Sequence, residues 1–145
     1  MSKEKSKKHT AAYLFLEKDG KILLHLRKNT GFADGNYSLI AGHIDENETA
    51  KQAIIRETKE EAGILIKPED LEIVHIMHRN GNREYIDFFF SCKKWDGNIN
   101  NCEPEKCGKL QFFEKSNLPE NTLDYVTLAL KNALSGKFFS EVGFE

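Results

Sequence analysis

The chain has 145 residues, 39% of them hydrophobic and 30% charged, with a formal net charge of -2. That length suits one domain with a core that needs no staples. The near-neutral balance excludes a general binder of nucleic-acid polymers or membrane surfaces, which needs excess positive charge, but it leaves room for a local basic patch facing a small phosphorylated ligand.

Taken in chain order, residues 1–8 are polar and read as a disordered tail ahead of a single domain spanning 1–145. Thr10–Leu16 and Ile22–Leu26 are apolar runs around Asp19-Gly20, which predicts a β-hairpin. Asn29–Asn36 reads as a loop and Tyr37–Ala41 as a short strand entering Gly42. The acidic stretch Asp45–Glu48 precedes a predicted helix, Thr49–Ala62, and suits the positive end of its dipole. Gly63 supplies the stop. Leu71–His78 and Arg83–Trp95, joined by Gly81-Asn82, predict a second hairpin. Asp96–Gly108 reads as a polar loop, Leu110–Phe113 as a strand and Asn121–Leu134 as an amphipathic helix. The last residues carry no clear signal. One mixed sheet flanked by two helices is the simplest packing, an α/β (α+β) arrangement.

The three cysteines, Cys92, Cys102 and Cys107, form an odd set with no secretory signal. They point to free thiols and a cytoplasmic protein. Zinc is not expected, because Cys102 and Cys107 have no second pair at recognisable spacing. No apolar run has the length of a membrane span.

The chemistry concentrates between Gly42 and Ile64. On the predicted helix Glu57, Glu60 and Glu61 fall within an arc of about 100 degrees. Ile55 and Ala62 project roughly opposite, so one side is expected to pack on the sheet and the other to present carboxylates. Ala50 and Ala53, on the carboxylate side, leave room for an anion. A solvated acidic face would cost only a few tenths of a kcal/mol per like-charge pair. The alternative is a divalent cation, and Mg2+ prefers carboxylate oxygens while keeping water and substrate phosphate in its other positions.

The wider string decides between them. Gly42 is followed by five residues and Glu48, then by seven and Arg56-Glu57, then by Glu60-Glu61 and Gly63-Ile64. This resembles the Nudix (MutT-like) box, G-x5-E-x7-R-E-U-x-E-E-x-G-U with U apolar, and a chance match is on the order of one in a million. Thr58 departs from the pattern, standing where an aliphatic residue is usual; it falls at the margin of the packing face, so only a modest effect on packing is expected.

The resemblance implies an α/β/α sandwich with a central mixed sheet and a Mg2+-dependent pyrophosphohydrolase, Mn2+ being a substitute. It implies Glu57, Glu60 and Glu61 as metal ligands with Gly42 beside them. Glu60 or Glu57 would act in catalysis, Arg56 would hold a glutamate in place, and Glu48 would brace the loop. Glu103 is a second candidate for base or ligand, and Glu105 a weaker one. Substrate contacts are expected from Arg27 and Lys28 through phosphate. They are also expected from Tyr37 or Phe90 by stacking and from Asn121 at a base edge, unless Asn121 caps the last helix. Arg83 is a further cation. The expected partner is a small nucleotide, with the chain as monomer or homodimer. A nucleoside triphosphate, cut to monophosphate and pyrophosphate, is the first expectation; ADP-ribose, a nucleotide sugar or non-catalytic nucleotide sensing are the alternatives.

Overall fold

The structure, a computed structural model, describes residues 5–144. Of the expected tail, residues 1–4 lie outside the described residues, and residues 5–8 are exposed coil. The first hairpin forms as β1 (His9–Lys18) and β2 (Lys21–Arg27). Asp19 and Gly20 both take positive φ, 54° and 77°, the geometry whose twist matches the flanking strands.

The hairpin is paired only near its turn, at Glu17↔Ile22 and Lys18↔Lys21. Beyond that the strands part, and the expected mixed sheet branches there while remaining one connected eight-stranded sheet. β1 instead pairs β4 (Ile40–His43) antiparallel and β6 (Glu84–Cys92) parallel. β6 pairs β5 (Glu72–Asn80), which pairs a last strand, β8 (Phe139–Val142). The main mixed sheet therefore runs β4-β1-β6-β5-β8. β2 carries β3 (Tyr37–Ser38) and β7 (Cys107–Glu114) in an antiparallel wing. The predicted strand Tyr37–Ala41 is thus two short strands interrupted at Leu39, because the chain changes partner from β2 to β1.

Two helices cover opposite faces of the sheet. α1 (Ala50–Ala62) packs with Ala12, Leu14, Leu16, Ile40 and Phe90. α2 (Asp124–Leu134) packs with Ala11, Tyr13, Phe15, Met77 and Phe89. Alternate residues of β1 therefore serve alternate layers, as the two-residue strand period requires. This is the expected α/β/α sandwich with a central mixed sheet. β6 stops at Cys92, three residues before the predicted end. β7 begins at Cys107, earlier than predicted. A 3-10 turn at Pro68–Asp70 had no expectation behind it.

α1 is bounded as its sequence suggests. Thr49 accepts from the Gln52 backbone while the Gln52 side chain accepts from the Thr49 backbone, a reciprocal cap. Gly63 ends the helix at φ 72°, donating its N–H to Lys59 O. The packing face differs from expectation. Its buried residues are Ala53, Ile54, Thr58, Glu61 and Ala62, so the helix is rotated to place Glu61 within the face that meets the sheet. Ile55 is only partly buried, and Thr58 lies inside the face rather than at its margin, fully buried. Its hydroxyl bonds back to Ile54 O at 2.6 Å.

Candidate active site

The loop before α1 hangs on Arg56. Its guanidinium donates to both oxygens of Glu48 at 2.8 and 3.0 Å, to Glu57 Oε1 at 2.8 Å and to His43 O at 3.2 Å. The fork holds a planar carboxylate in two places at once. Glu48 also accepts from the Asp45 backbone at 2.9 Å. These bonds hold the Glu48 carboxyl below its usual range, Arg56 contributing first and the Asp45 amide next.

Gly42 explains itself by contact. A Cβ there would lie 2.2 Å from the Glu57 carboxyl carbon. The Glu57 carboxylate rests against the β4 backbone, which only a residue without a side chain permits.

Glu61 is the electrostatic anomaly. It is 8% exposed, and its Oε2 is buried without a hydrogen-bond partner. Burial pushes its carboxyl well above the usual range; the charges of Glu57 and Glu103 push it further, and the Ala41 backbone opposes them. His25 on β2 is its near neighbour, Nε2 standing 4.0 Å from Oε1. The contact is no ion pair, since burial, aided by Arg27, lowers the His25 imidazole to about 4.

Glu103 reaches this neighbourhood through a backbone clasp. Asn100 donates to Ala62 O and Cys102 to Glu61 O, at 3.0 and 3.1 Å, folding the β6–β7 loop onto the end of α1. Glu105 is exposed, and only its carbonyl takes part, accepting from Asn29 at 3.2 Å.

Among the described residues, no three His, Cys, Asp or Glu side chains converge as a ready metal cage. Mg2+ does not require one; one or two carboxylates suffice beside water and phosphate. The donors here are oxygens, one of them buried and unpaired, and they carry surplus negative charge. That set fits a hard divalent cation.

Beside Gly42 opens a cavity of about 490 Å3. Its walls come from β1 (Tyr13), β4 (Gly42, His43), the β5–β6 hairpin (Arg79, Arg83, Tyr85), α2 (Tyr125) and the β2 end with its loop (Arg27, Phe32). Of the predicted substrate residues it gathers Arg27 and Arg83. Arg27 is anchored through Nε to Phe32 O at 2.7 Å and through Nη2 to Thr30 Oγ1 at 3.0 Å.

The other predicted contacts lie elsewhere. Phe90 is 3% exposed in the α1-side core and has no surface to offer a base. Tyr37 packs edge-on against Phe113. Lys28 does not line the cavity. Asn121 donates to Gly35 O at 2.9 Å, and it does not cap α2, whose N-cap is Leu123. Unforeseen from sequence were Tyr13, His43, Arg79 and Tyr125 on the walls and His25 behind Glu61. One signal was available: Asp87 interrupts the apolar run Ile86–Phe90, and a charge in a buried strand demands a partner, which is Arg79 at 2.8 Å.

Comparison with known proteins finds relatives in sequence and in fold. An ADP-ribose pyrophosphatase of Methanocaldococcus jannaschii is 33% identical over 111 residues, covering 76% of this chain. The chain spans 64% of that relative's length. An 8-oxo-dGTP diphosphatase of Proteus vulgaris is 27% identical over 96 residues, which is 66% of this chain and 85% of that protein. In fold, a MutT NUDIX hydrolase crystal structure from Burkholderia pseudomallei superposes with a TM-score of 0.79 at 22% identity, covering 87% of this chain and 98% of that one. The solution structure of the E. coli ORF135 protein gives 0.75 at 20%, covering 89% and 90%. The NUDIX domain model matches residues 6–130, and with its box residues assembled around Gly42, Arg56 and Glu57 the chain belongs to the NUDIX hydrolase family.

Proposed function

We propose that this protein is a Mg2+-dependent pyrophosphohydrolase that cuts a nucleoside triphosphate into a nucleoside monophosphate and pyrophosphate. The observation that carries the reading is the unpaired buried oxygen of Glu61, with Glu57 held over Gly42 at the edge of an arginine-bearing cavity. Surplus carboxylate beside a polyanion site is repulsive unless a cation sits between them. Glu57 and Glu61 would hold it, with Glu60 at the exposed rim and the Gly42 backbone alongside. When bound, Mg2+ lowers the pKa of water and withdraws charge from the phosphoryl oxygens.

The chain's own groups supply the rest. Arg56 keeps Glu57 in one orientation. Arg27 faces phosphate from the cavity wall. Glu60 or Glu103 takes the proton from the attacking water. The kinship to an ADP-ribose pyrophosphatase favours a second reading, in which the cut anhydride joins a nucleoside monophosphate to a sugar phosphate, as in ADP-ribose or a nucleotide sugar.

A panel of nucleoside triphosphates, ADP-ribose and nucleotide sugars with Mg2+, with products weighed by mass, separates the two readings. Monophosphate plus pyrophosphate is expected, abolished by chelator and lowered about 10^2- to 10^4-fold in Glu57→Gln. Tight nucleotide binding without product, or a Glu57→Gln variant with full turnover, would falsify the catalytic reading.

A further inference from the structure

We propose that Arg79 is the specificity-determining residue of the cavity, selecting a nucleobase that presents two adjacent hydrogen-bond acceptors, guanine or cytosine. The inference rests on the proposed hydrolysis of nucleoside triphosphates and deepens it.

Position comes first. Across the cavity floor the register aligns His43 of β4 with Ala11 of β1, Ala11 with Asp87 of β6, and Asp87 with Met77 of β5. Arg79 follows Met77 by two residues and faces the same side. It therefore stands three strand spacings across the sheet from β4, roughly 14 Å, and is further offset along the strands from the level of Gly42. With the scissile phosphates at the Gly42–Glu57 end, what reaches Arg79 is the far end of the nucleotide, its base.

Charge comes second. Arg79 Nε donates to Asp87 Oδ2 at 2.8 Å, and Asp87 is fully buried. The positive charge of Arg79 is thus already matched, whereas Arg27 and Arg83 form no ion pair among the described residues. Phosphate is better served by Arg27; Arg83 stands at the tip of the β5–β6 hairpin, on the Arg79 side of the cavity. A neutral acceptor edge is better served by a guanidinium whose charge is satisfied but whose hydrogens are not.

Orientation comes third. The Arg79 guanidinium carbon lies 4.1 Å from the Tyr125 ring centroid and 4.7 Å from that of Tyr85, and Nη2 reaches Tyr13 Oη at 3.4 Å. All three tyrosines line the cavity. The fork is stacked and tethered, so little rotamer entropy is lost when it engages a ligand. Nη1 makes no hydrogen bond to the described protein and remains for the base. Paired N–H donors match guanine O6 and N7, and equally cytosine N3 and O2. Adenine and uracil alternate donor and acceptor along these edges and leave one N–H unpaired, which is the costly case.

The test uses equilibrium binding, which does not depend on turnover. Calorimetry with GMP, CMP, AMP and UMP is run on the wild type, on Arg79→Lys, and on Arg79→Lys with Asp87→Asn. Lysine keeps the charge but loses the fork, and the double variant avoids stranding a buried acid. The wild type is expected to hold GMP or CMP roughly 10- to 100-fold more tightly than AMP and UMP, a gap that closes in both variants. Equal affinity for all four, no measurable binding of any, or a gap surviving in folded Arg79→Lys overturns the assignment. Hydrolysis is scored separately. Base-selective binding with no triphosphate cut removes the proposed activity and leaves the selective pocket standing.

Discussion

At the residue scale, the site is built from groups that the fold holds against their own preference. Glu61 is the clearest. Its carboxyl is raised in the folded protein, so folding favours its neutral form. Such a group opposes stability above its unfolded value and is harmless below it. Glu61→Gln is therefore expected to raise the metal-free melting temperature at pH 7–8, by the equivalent of about 1 kcal/mol. The advantage should vanish near pH 4, where both forms are neutral. The same variant should lose Mn2+ binding by calorimetry. A variant that melts lower than wild type at pH 8 contradicts the burial argument. Gly42→Ala makes the complementary case. The added methyl meets the far end of a flexible Glu57 side chain, so the protein should fold while Glu57 swings away. Turnover should fall at least about a hundredfold, the cost of misplaced catalytic groups, with an unchanged far-ultraviolet spectrum.

At the scale of the element, α1 carries both capping and chemistry. Removing the Thr49 hydroxyl breaks one half of the reciprocal cap. Thr49→Ala should cost about 1 kcal/mol, or roughly 3–4 °C of melting temperature for a chain of this size. Thr58 tests the packing face. Its side chain is fully buried with the hydroxyl bonded back to Ile54 O, an arrangement that satisfies the oxygen but adds nothing to the core. Thr58→Val keeps the shape and replaces the hydroxyl with a methyl, and is expected to stabilise by about 0.5–1 kcal/mol in denaturant titration. Loss of more than 1 kcal/mol would show the back-bond to matter more than the burial.

At the scale of the whole molecule, the sheet is closed on one side by a strand that comes from the far end of the chain. β8 pairs β5 in parallel, and the join is pinned by His75. That imidazole is fully buried, with Nδ1 2.9 Å from Lys137 O and Nε2 2.7 Å from Ser140 Oγ. One nitrogen donates to the carbonyl and the other accepts from the hydroxyl. Ser140→Ala leaves Nε2 buried without a donor, at a cost of about 1–3 kcal/mol. Hydrogen exchange of the β8 amides should quicken while that of β1 and β6 stays slow. Uniform acceleration across the sheet would mean that β8 is part of the cooperative core.

The sequence by itself determined the layered fold class, α1 with both its ends, and the box residues, because caps, turns and periodic patterns act within a few positions along the chain. Gly42, Glu57 and Arg56 were legible because their spacing is local. Tertiary structure decided what depended on distant partners. The parting of β1 from β2 follows from β4 taking the edge of β1 beyond Glu17, while β6 fills the opposite edge. The four-residue β8 has too few positions to show a period and exists only because β5 offers it an edge. The rotation of α1 that buries Glu61 follows from fitting Ile54, Thr58 and Ala62 against the sheet. The cavity draws its walls from several strands and α2, so Phe90 could be read as a ligand contact and Arg79 missed: which face of a strand lines a cleft is set by neighbours dozens of residues away.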